Sequence, residues 1–542
     1  MCGIALAIIE SDKAHKGSPL GDYTDIWRNL CSACIERGPD WSDSTTVLND
    51  GLDTVFFSSV LHLRGVDGRR GLTRQPHISN DGSIFAWNGE IFHGIPVRHD
   101  ENDGLKLFSL IEKSRGDIDS LRDILSELEG PYAFTYLHKP SRTLHFARDP
   151  LGQRSLLLHL PTPSEPIFFL CSASSHRGKI FECVQSLTFT PRSNSVFDGW
   201  KTLNREMPSE TSSPLSLEQI DDFISQLDNS VRSRVENIPS NNVDLLQDQK
   251  PVARLGVLFS GGIDSAIVAY LADRHIPRDE PIDLLNVGFE NPRTLSASQN
   301  QAVQEARAQG KRDKKERKKS THALEIPAKP PVLSVDRLPK MGTYDVPDRL
   351  TGLEQLDELR RLCPHRRWNF VCVNVPYDEC KQEEPRVTAL MHPSNTVMDL
   401  SLANALYFAS RGKGVIYGSE EDVYVTPAKL QLDLDRLPAR NLGRDDRVIS
   451  ANGRESRYPF LSLVLVSYLA QLPVQIKVDP RLALQEQGLG AGLGDKTLLR
   501  LAAERLGLML ASRRTKRAMQ FGSRSARMDS GTSEKKGHVV LE

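Results

Sequence analysis

Apolar and polar residues alternate in short segments over the first 185 residues of the chain. Segments that are rich in β-branched and aromatic residues and bounded by polar turns favour β-strands. They are Val55 to Leu63, Ile84 to Trp87, Tyr132 to Leu137, Leu144 to Ala147 and Ile167 to Cys171. Two other segments, Tyr23 to Glu36 and Asn102 to Ser114, have apolar residues at helical spacing. The pattern predicts an α+β, sandwich-type domain over residues 1–185.

A different pattern follows, in which buried-type strands alternate with helical segments. The predicted strands are Arg254 to Phe259, Leu284 to Phe289, Asn369 to Val375 and Gly414 to Tyr417. Helices are predicted over Ser216 to Val235 and Ala266 to His275. The alternation predicts an α/β domain with a doubly wound parallel sheet over residues 215–523. Residues 186–214, rich in Ser, Asn and Pro, form the predicted linker, and residues 524–542 a disordered tail.

Residues 294–335 interrupt this second pattern with a polar insertion that contains the basic run Lys311 to Lys319. No aromatic residues interleave with the basic ones, which favours a solvated loop over a nucleic-acid site. The formal net charge of -1 also gives no global attraction to nucleic acid. The longest apolar stretch, Leu461 to Leu472, is shorter than the ~20 residues that span a bilayer. We therefore expect neither nucleic acid nor a membrane as a partner.

The N-terminus leads directly into an apolar strand without the basic region of a secretory signal. The eight cysteines are scattered, which fits a reducing compartment. Both features predict a cytoplasmic protein. The sequence does not determine the oligomeric state, and a homodimer is compatible with it.

Cys2 becomes the N-terminal residue once the initiator Met is removed. Its thiol is then a nucleophile, and its free α-amine, with a reference pKa of ~7.7–8.0, can act as the base. One residue thus supplies both functions. Five motifs follow in the same domain: Arg37-Gly38-Pro39-Asp40, Leu63-Arg64-Gly65, Asn88-Gly89-Glu90-Ile91-Phe92, Asn102-Asp103 and Arg148-Asp149-Pro150-Leu151-Gly152.

Together with Cys2, these motifs resemble the class II glutamine amidotransferases, which have an N-terminal nucleophile fold. The resemblance implies that the Asn88 amide and the Gly89 N–H form an oxyanion hole. It implies that Arg64 pairs with the glutamine α-carboxylate. Glu90 and Asp103 are then expected to bind the α-ammonium of glutamine.

A second motif, Ser260-Gly261-Gly262-Ile263-Asp264-Ser265, lies between a predicted strand and a predicted helix. Backbone N–H groups at a helix N-terminus bind anions, and glycines let the backbone approach a phosphate closely. The motif resembles the pyrophosphate loop of N-type ATP pyrophosphatases. ATP and Mg²⁺ are therefore the expected cofactors, with Asp264 as the ligand of Mg²⁺ and Val287 as a further contact of ATP.

A third segment, Gly453-Arg454-Glu455-Ser456-Arg457-Tyr458-Pro459-Phe460-Leu461, resembles the G-x-E-x-R-x-P-F-L-D segment of asparagine synthetases. The resemblance implies that Glu455 handles ammonia protons near an acyl-adenylate. Lys496 and Lys516 match basic positions that face phosphate. The chain is thus similar to glutamine-hydrolysing asparagine synthetases over most of its length.

Two positions depart from that family. After Tyr417 the family has an acidic Gly-rich loop followed by Gly-Gly-Tyr, whereas this chain has Gly418-Ser419-Glu420-Glu421-Asp422 and a shorter segment. Glu420, Glu421 or Asp422 is the expected replacement for the metal-side carboxylate, with Glu421 as the assigned ligand, which requires it to lie beside Asp264. The closing Asp of the family's third segment is Ser462 here.

The reaction that the resemblance implies uses L-glutamine, L-aspartate and ATP to make L-asparagine, L-glutamate, AMP and pyrophosphate. Two alternatives stay open: an amidotransferase with another acceptor or a glutaminase alone, and a catalytically inactive binding scaffold.

Overall fold

The computed structural model describes residues 2–11, 20–49, 51–63, 73–98, 100–174, 204, 216–236, 238, 252–290, 343–418, 422–424, 430–431, 442–477, 494–527, 539 and 541. The predicted insertion 294–335 lies wholly outside these residues, and so does the predicted linker 186–214 apart from Asn204. The domain boundaries therefore remain predictions.

The N-terminal domain contains two antiparallel sheets. Its elements, in chain order, are β1 (Gly3–Glu10), α1 (Thr24–Arg37), β2 (Trp41–Asn49), β3 (Leu52–Val60), β4 (His77–Ile78), β5 (Ile84–Gly89), α2 (Asp103–Ile111), α3 (Ile118–Ser126), β6 (Tyr132–His138), β7 (Thr143–Arg148), β8 (Leu157–His159) and β9 (Ile167–Cys171). The sheet orders are β2-β3-β1-β9-β8 and β4-β5-β6-β7. All five predicted strands and both predicted helices are present. The sequence pattern missed β2, β4, β8 and α3.

The two sheets pack face to face, with helices on their outer faces. Successive residues of a strand point to opposite faces, so the contacts along β1 identify the inner and outer faces of the first sheet. Leu6 packs with Phe56 and with Ile84 of the second sheet, which forms the inner core. Ala5 and Ala7 on the opposite face pack with α1. On the outer face of the second sheet, aromatic residues of β5 and β6 pack against α2 and α3. The result is a four-layer sandwich of helix, sheet, sheet and helix, which confirms the sandwich-type prediction.

The C-terminal domain is built on one mixed sheet with the order β14-β13-β12-β11-β10-β15-β16. Its elements are α4 (Leu217–Val235), β10 (Leu255–Leu258), α5 (Ile263–Asp273), β11 (Ile282–Phe289), α6 (Pro347–Leu362), β12 (Trp368–Val375), α7 (Tyr377–Met391), α8 (Val397–Ser410), β13 (Lys413–Ile416), β14 (Asp422–Tyr424), β15 (Leu430–Gln431), α9 (Leu442–Ser450), β16 (Ser456–Arg457), α10 (Leu463–Gln471), α11 (Val474–Lys477), α12 (Thr497–Arg505), α13 (Met509–Ser512) and α14 (Met519–Gly522). Strands β12, β11, β10, β15 and β16 are parallel.

Both faces of this sheet are covered by helices, as a doubly wound domain requires. One face of the central strands, with Val257 and Leu284, packs against α4, α5, α6 and α12. The other face, with Leu285 and Val371, packs against α7, α8 and α9. The prediction of a parallel sheet was wrong at its edge, however. Strand β13 pairs with β12 in the antiparallel direction, and β14 pairs with β13 in the same way.

Part of the C-terminal tail that was predicted to be disordered packs on the second domain. Residues Ser525–Arg527 form a 3-10 turn. The backbone N–H of Leu541 donates to the carbonyl of Asn395 at 2.7 Å, and Val397 donates to Val539 at 3.0 Å. Among the described residues, the structure contains no helix that is both long and apolar enough to cross a membrane.

Two glycines with nearly equal backbone angles allow a matched test of the sandwich. Gly94 has φ +96°, and a Cβ atom there would lie 1.7 Å from the carbonyl oxygen of Glu127. Gly51 has φ +95°, and a Cβ atom there would meet nothing within 4 Å. A left-handed backbone costs an L-residue about 1–2 kcal/mol, and forced overpacking adds about 1–3 kcal/mol.

We therefore predict that Gly94→Ala lowers the free energy of unfolding by about 2 kcal/mol more than Gly51→Ala does. Urea unfolding of both variants, followed by circular dichroism, measures the difference. Equal losses would show that the contact between Gly94 and Glu127 can relax without cost.

Candidate active site

Cys2 is held at the start of β1, the central strand of the first sheet. The next two backbone N–H groups are fixed by hydroxyl groups of neighbouring strands: Gly3 donates to Ser59 Oγ at 3.1 Å and Ile4 donates to Ser172 Oγ at 2.9 Å. Arg37 Nε donates to the carbonyl oxygen of Cys2 at 3.3 Å. These contacts fix the backbone at the nucleophile before any substrate binds.

Asn88 and Gly89 at the end of β5 lie beside Cys2, as the motif predicts. The backbone nitrogen of Cys2, which becomes the α-amine when Met1 is removed, donates to Asn88 Oδ1 at 3.1 Å. Within the described part of the chain, the buried Asn88 Nδ2 has no hydrogen-bond partner. Buried polar groups are seldom left unpaired without a reason. An oxyanion formed at Cys2 would supply the missing acceptor.

A pocket with an empty volume of ≈ 410 Å³ opens at Cys2. It is lined by residues of both domains, among them Cys2, Gln75, Gly89, Glu90, Asp103 and Glu455. Arg64, the expected partner of the substrate carboxylate, lies outside the described residues, although its neighbour Leu63 lines the pocket.

The two carboxylates that were predicted to bind ammonium differ in their surroundings. Asp103 lies in the first turn of α2, where its oxygens accept from the N–H groups of Ile91 at 3.1 Å and Gly104 at 2.9 Å. Both carboxylate oxygens of Glu90 instead accept hydrogen bonds from Arg457 of the second domain, one from Nε at 2.7 Å and the other from Nη2. Asp103 is therefore the better-placed partner for a substrate ammonium group.

Glu455, which the family resemblance places near an acyl-adenylate, lines this pocket. The described residues that line the cleft around Asp264 do not include it. Instead Glu455 accepts from Nη2 of Arg154, a residue of the first domain. The reason is topological, because Ser456–Arg457 forms the edge strand β16, which brings the preceding residue to the domain interface.

Burial dominates the electrostatics of the pocket. It raises the pKa of the Cys2 thiol, and the negative charges of Glu455 and Asp103 raise it further, while the chain's N-terminal charge and the N–H of Leu61 lower it. Burial also raises the pKa of Glu455, and the charge of Glu90 acts in the same direction. The thiolate form of Cys2 is therefore disfavoured, and it needs nearby hydrogen-bond donors to stabilise it.

A second cleft, with an empty volume of ≈ 1130 Å³, opens where β10 meets α5. The predicted residues that line it are Ser260, Gly262, Asp264, Ser265, Val287 and Lys516. Gly261 is needed for the turn itself, because its φ is +75° and a Cβ atom would lie 2.3 Å from the carbonyl oxygen of Thr351. Lys496 is tied to the same site, with Nζ at 2.6 and 2.5 Å from the two carboxylate oxygens of Asp264.

Glu421 lies outside the described residues, so its position beside Asp264 stays a prediction. The prediction takes β13, the strand before Glu421, to be parallel to β10. Because β13 is antiparallel to the parallel strands, its carboxyl end lies at the opposite edge of the sheet from the Gly-rich loop. Among the residues that the structure describes, no three His, Cys, Asp or Glu side chains come together to hold a metal ion.

No role at the domain interface was predicted for the residues that join the two domains. Arg37 Nη2 lies 2.8 Å from Asp446 Oδ2, and Arg154 Nη1 lies 3.5 Å from Asp446 Oδ1. Asp446 belongs to the run of charged residues Arg444-Asp445-Asp446-Arg447, which is buried on α9. Buried charges in one helical turn require partners, and those of Asp446 come from the other domain.

A sandwich domain that presents a cysteine at its first strand, joined to a doubly wound domain with a Gly-rich loop, is the layout of an amidotransferase of the asparagine synthase class. The Asparagine synthase family model matches residues 249–351 and 426–535. The asparagine synthetase domain-containing protein 1 of Gallus gallus is 32% identical, over 99% of this chain and 99% of that protein. The chain belongs to the asparagine synthetase domain-containing protein 1 family.

Other relatives agree with this assignment. The Homo sapiens protein of the same name is 32% identical, over 98% of this chain and 96% of that protein. Asparagine synthetase 1 (glutamine-hydrolyzing) of Saccharomyces cerevisiae is 26% identical, over 51% of this chain and 44% of that protein. The similarity to a named synthetase is thus partial.

The Glu90–Arg457 pair gives a test of the shared pocket. Removing one partner of a buried ion pair leaves the other charge unpaired and costs about 3–5 kcal/mol. We predict that Arg457→Met lowers the free energy of unfolding by this amount. The control is Arg505→Met, whose pair with Asp221 has half-exposed side chains and therefore contributes little to stability.

Urea unfolding measures both variants. The double variant Glu90→Gln/Arg457→Met should recover part of the loss, because it removes the stranded carboxylate charge. Equal effects of the Arg457 and Arg505 substitutions would contradict the role of the buried pair.

Proposed function

We propose that this protein is a glutamine-dependent amidotransferase that hydrolyses L-glutamine at Cys2 and uses the ammonia, with ATP, to convert L-aspartate to L-asparagine. The observation that carries the proposal is the contact of the Cys2 nitrogen with Asn88 Oδ1, 3.1 Å, inside a pocket that also contains Gly89 and Asp103. This arrangement places a nucleophile, its base and an oxyanion site around one substrate position.

In the first half-reaction the α-amine of Cys2 accepts the thiol proton, and Sγ attacks the carboxamide carbon of glutamine. The oxyanion that forms is stabilised by Asn88 Nδ2 and the N–H of Gly89. The C–N bond breaks, the amine returns a proton to the leaving nitrogen, and ammonia departs from a thioester. Water then hydrolyses the thioester to glutamate and regenerates the thiol.

Glu455 supports the transfer of ammonia in a different way from that implied by the family resemblance. It lies at the pocket of Cys2, where burial raises its pKa above the ordinary value of a glutamate. We assign to it the exchange of protons with ammonia as the molecule leaves Cys2.

The cleft at the Gly-rich loop supports the ATP half-reaction. The N-terminus of α5, together with Lys516 and Arg517, offers positive charge to phosphates. Mg²⁺ typically binds through one or two carboxylates together with substrate phosphates. Asp264 and Asp348 in the cleft fit that requirement. Bound there, the ion would offset the charge of the pyrophosphate group.

A second candidate function is glutamine hydrolysis without asparagine synthesis. It is favoured by the antiparallel direction of β13, which removes the basis for placing Glu421 at the metal. AMP formation from ATP and glutamine, measured across a panel of amino-acid acceptors, separates the two functions. Aspartate-dependent AMP release at about 1 s⁻¹ or faster supports the synthetase. Glutamate formation with no AMP for any acceptor supports the glutaminase.

We predict that Cys2→Ala abolishes glutamine hydrolysis while the ammonia-dependent, ATP-dependent reaction continues, because free ammonia bypasses the thioester. The control is Cys31→Ala on α1, which should hydrolyse glutamine at the wild-type rate. Glutamate release and AMP release measure the two half-reactions separately. Intact-mass analysis must show loss of Met1 in the active wild type, and full activity with Met1 retained would contradict the mechanism.

A further inference from the structure

Gln75 lies between the pocket and β5 and was not singled out by any motif. Its side chain is almost fully buried, with 3% exposure. The carbonyl oxygen Oε1 accepts from the backbone N–H of Trp87 at 2.8 Å. Because only an oxygen can accept from that N–H, the orientation of the amide is fixed, and its NH₂ group must face the other way.

The NH₂ group of Gln75 faces the thiol of Cys2. Nε2 lies 3.7 Å from Sγ, within hydrogen-bond distance for sulfur. The amide is therefore a donor that the backbone of β5 holds against the reacting atom. The neighbours that also line the pocket, Glu455 and Asp103, are negatively charged and oppose a negative sulfur.

We propose that Gln75 is a catalytic residue of glutamine hydrolysis, whose side-chain amide donates a hydrogen bond to Sγ of Cys2 and stabilises the thiolate. The thiolate occurs twice: when Sγ attacks the carboxamide, and when hydrolysis of the thioester releases Sγ again. The amide and the N–H of Leu61 together give the sulfur two hydrogen-bond donors. These donors offset the repulsion between the thiolate and the carboxylates of Glu455 and Asp103. This inference rests on the proposed glutaminase function.

Gln75→Glu is the informative substitution, because it is isosteric. The glutamate keeps an oxygen to accept from Trp87, but it replaces the donor toward Sγ with an acceptor. A hydrogen bond to a charged group corresponds to about ten- to a hundredfold in an equilibrium or a rate. We predict that kcat for glutamine falls by at least about tenfold with little change in KM.

A second measurement separates catalysis from structure. The pH dependence of Cys2 alkylation by iodoacetamide, followed by peptide mass spectrometry on the full chain without Met1, reports the pKa of the thiol. Gln75→Glu should raise this pKa by at least about one unit, which corresponds to tenfold less thiolate at a given pH. Gln75→Met removes the donor without adding a buried charge, so it should raise the pKa of the thiol by a smaller amount than Gln75→Glu does.

The outcomes are distinct. A raised thiol pKa together with a lowered kcat supports the proposal. An unchanged pKa overturns it, whether or not the activity is lost, because a merely structural role would leave the sulfur unaffected. Alkylation requires no glutamine. If the wild type fails to hydrolyse glutamine but the pKa still shifts, the proposed function fails while the contact between Gln75 and the sulfur is upheld.

Discussion

The interface between the two domains depends on a buried carboxylate, Asp446, which contacts three groups of the first domain. Arg37 and the backbone N–H of Ser155 donate to its Oδ2, and Nη1 of Arg154 lies 3.5 Å from its Oδ1. The residue exposure of Asp446 is 0%. Burial pushes the pKa of Asp446 up, but the two arginines outweigh this effect and hold the pKa below its usual range. The charge is therefore retained in the interior, and separating the domains would strand it together with the two arginines.

This constraint explains why the pocket at Cys2 belongs to both domains. The pairs Arg154–Glu455 and Arg457–Glu90 each join a residue of one domain to a residue of the other, and both carboxylates line the pocket of Cys2. A displacement of the second domain would therefore change the charge around the thiol directly. An apolar interface would hold the domains together equally well, but it would not connect the position of one domain to the chemistry of the other.

Ser462 also makes a polar contact across the interface between the two domains. Where asparagine synthetases end their segment with Asp, this chain has a serine, which caps α10 by accepting from the N–H of Leu465 at 3.5 Å. Its hydroxyl also donates to Glu129 of the first domain. The departure from the family motif therefore keeps the helix start and adds one more polar contact across the interface, instead of disrupting the segment.

Local sequence determined the helices and strands that carry the site and the Gly-rich loop of the second cleft. Strand and helix periodicity in this chain is strong where one face of each element is buried, so β5, β6, β9 and α1 were predicted nearly to their ends. The sequence also predicted the Gly-rich loop, because only glycine at position 261 permits the turn.

Tertiary structure decided which charged side chains come into contact. The direction of β13 depends on its pairing with β12, and the burial of Glu90, Glu455 and Asp446 depends on arginines that are hundreds of residues away in sequence. Long-range pairings of this kind leave no periodic signal along the chain, because each partner is set by the packing of two domains and not by its neighbours in sequence.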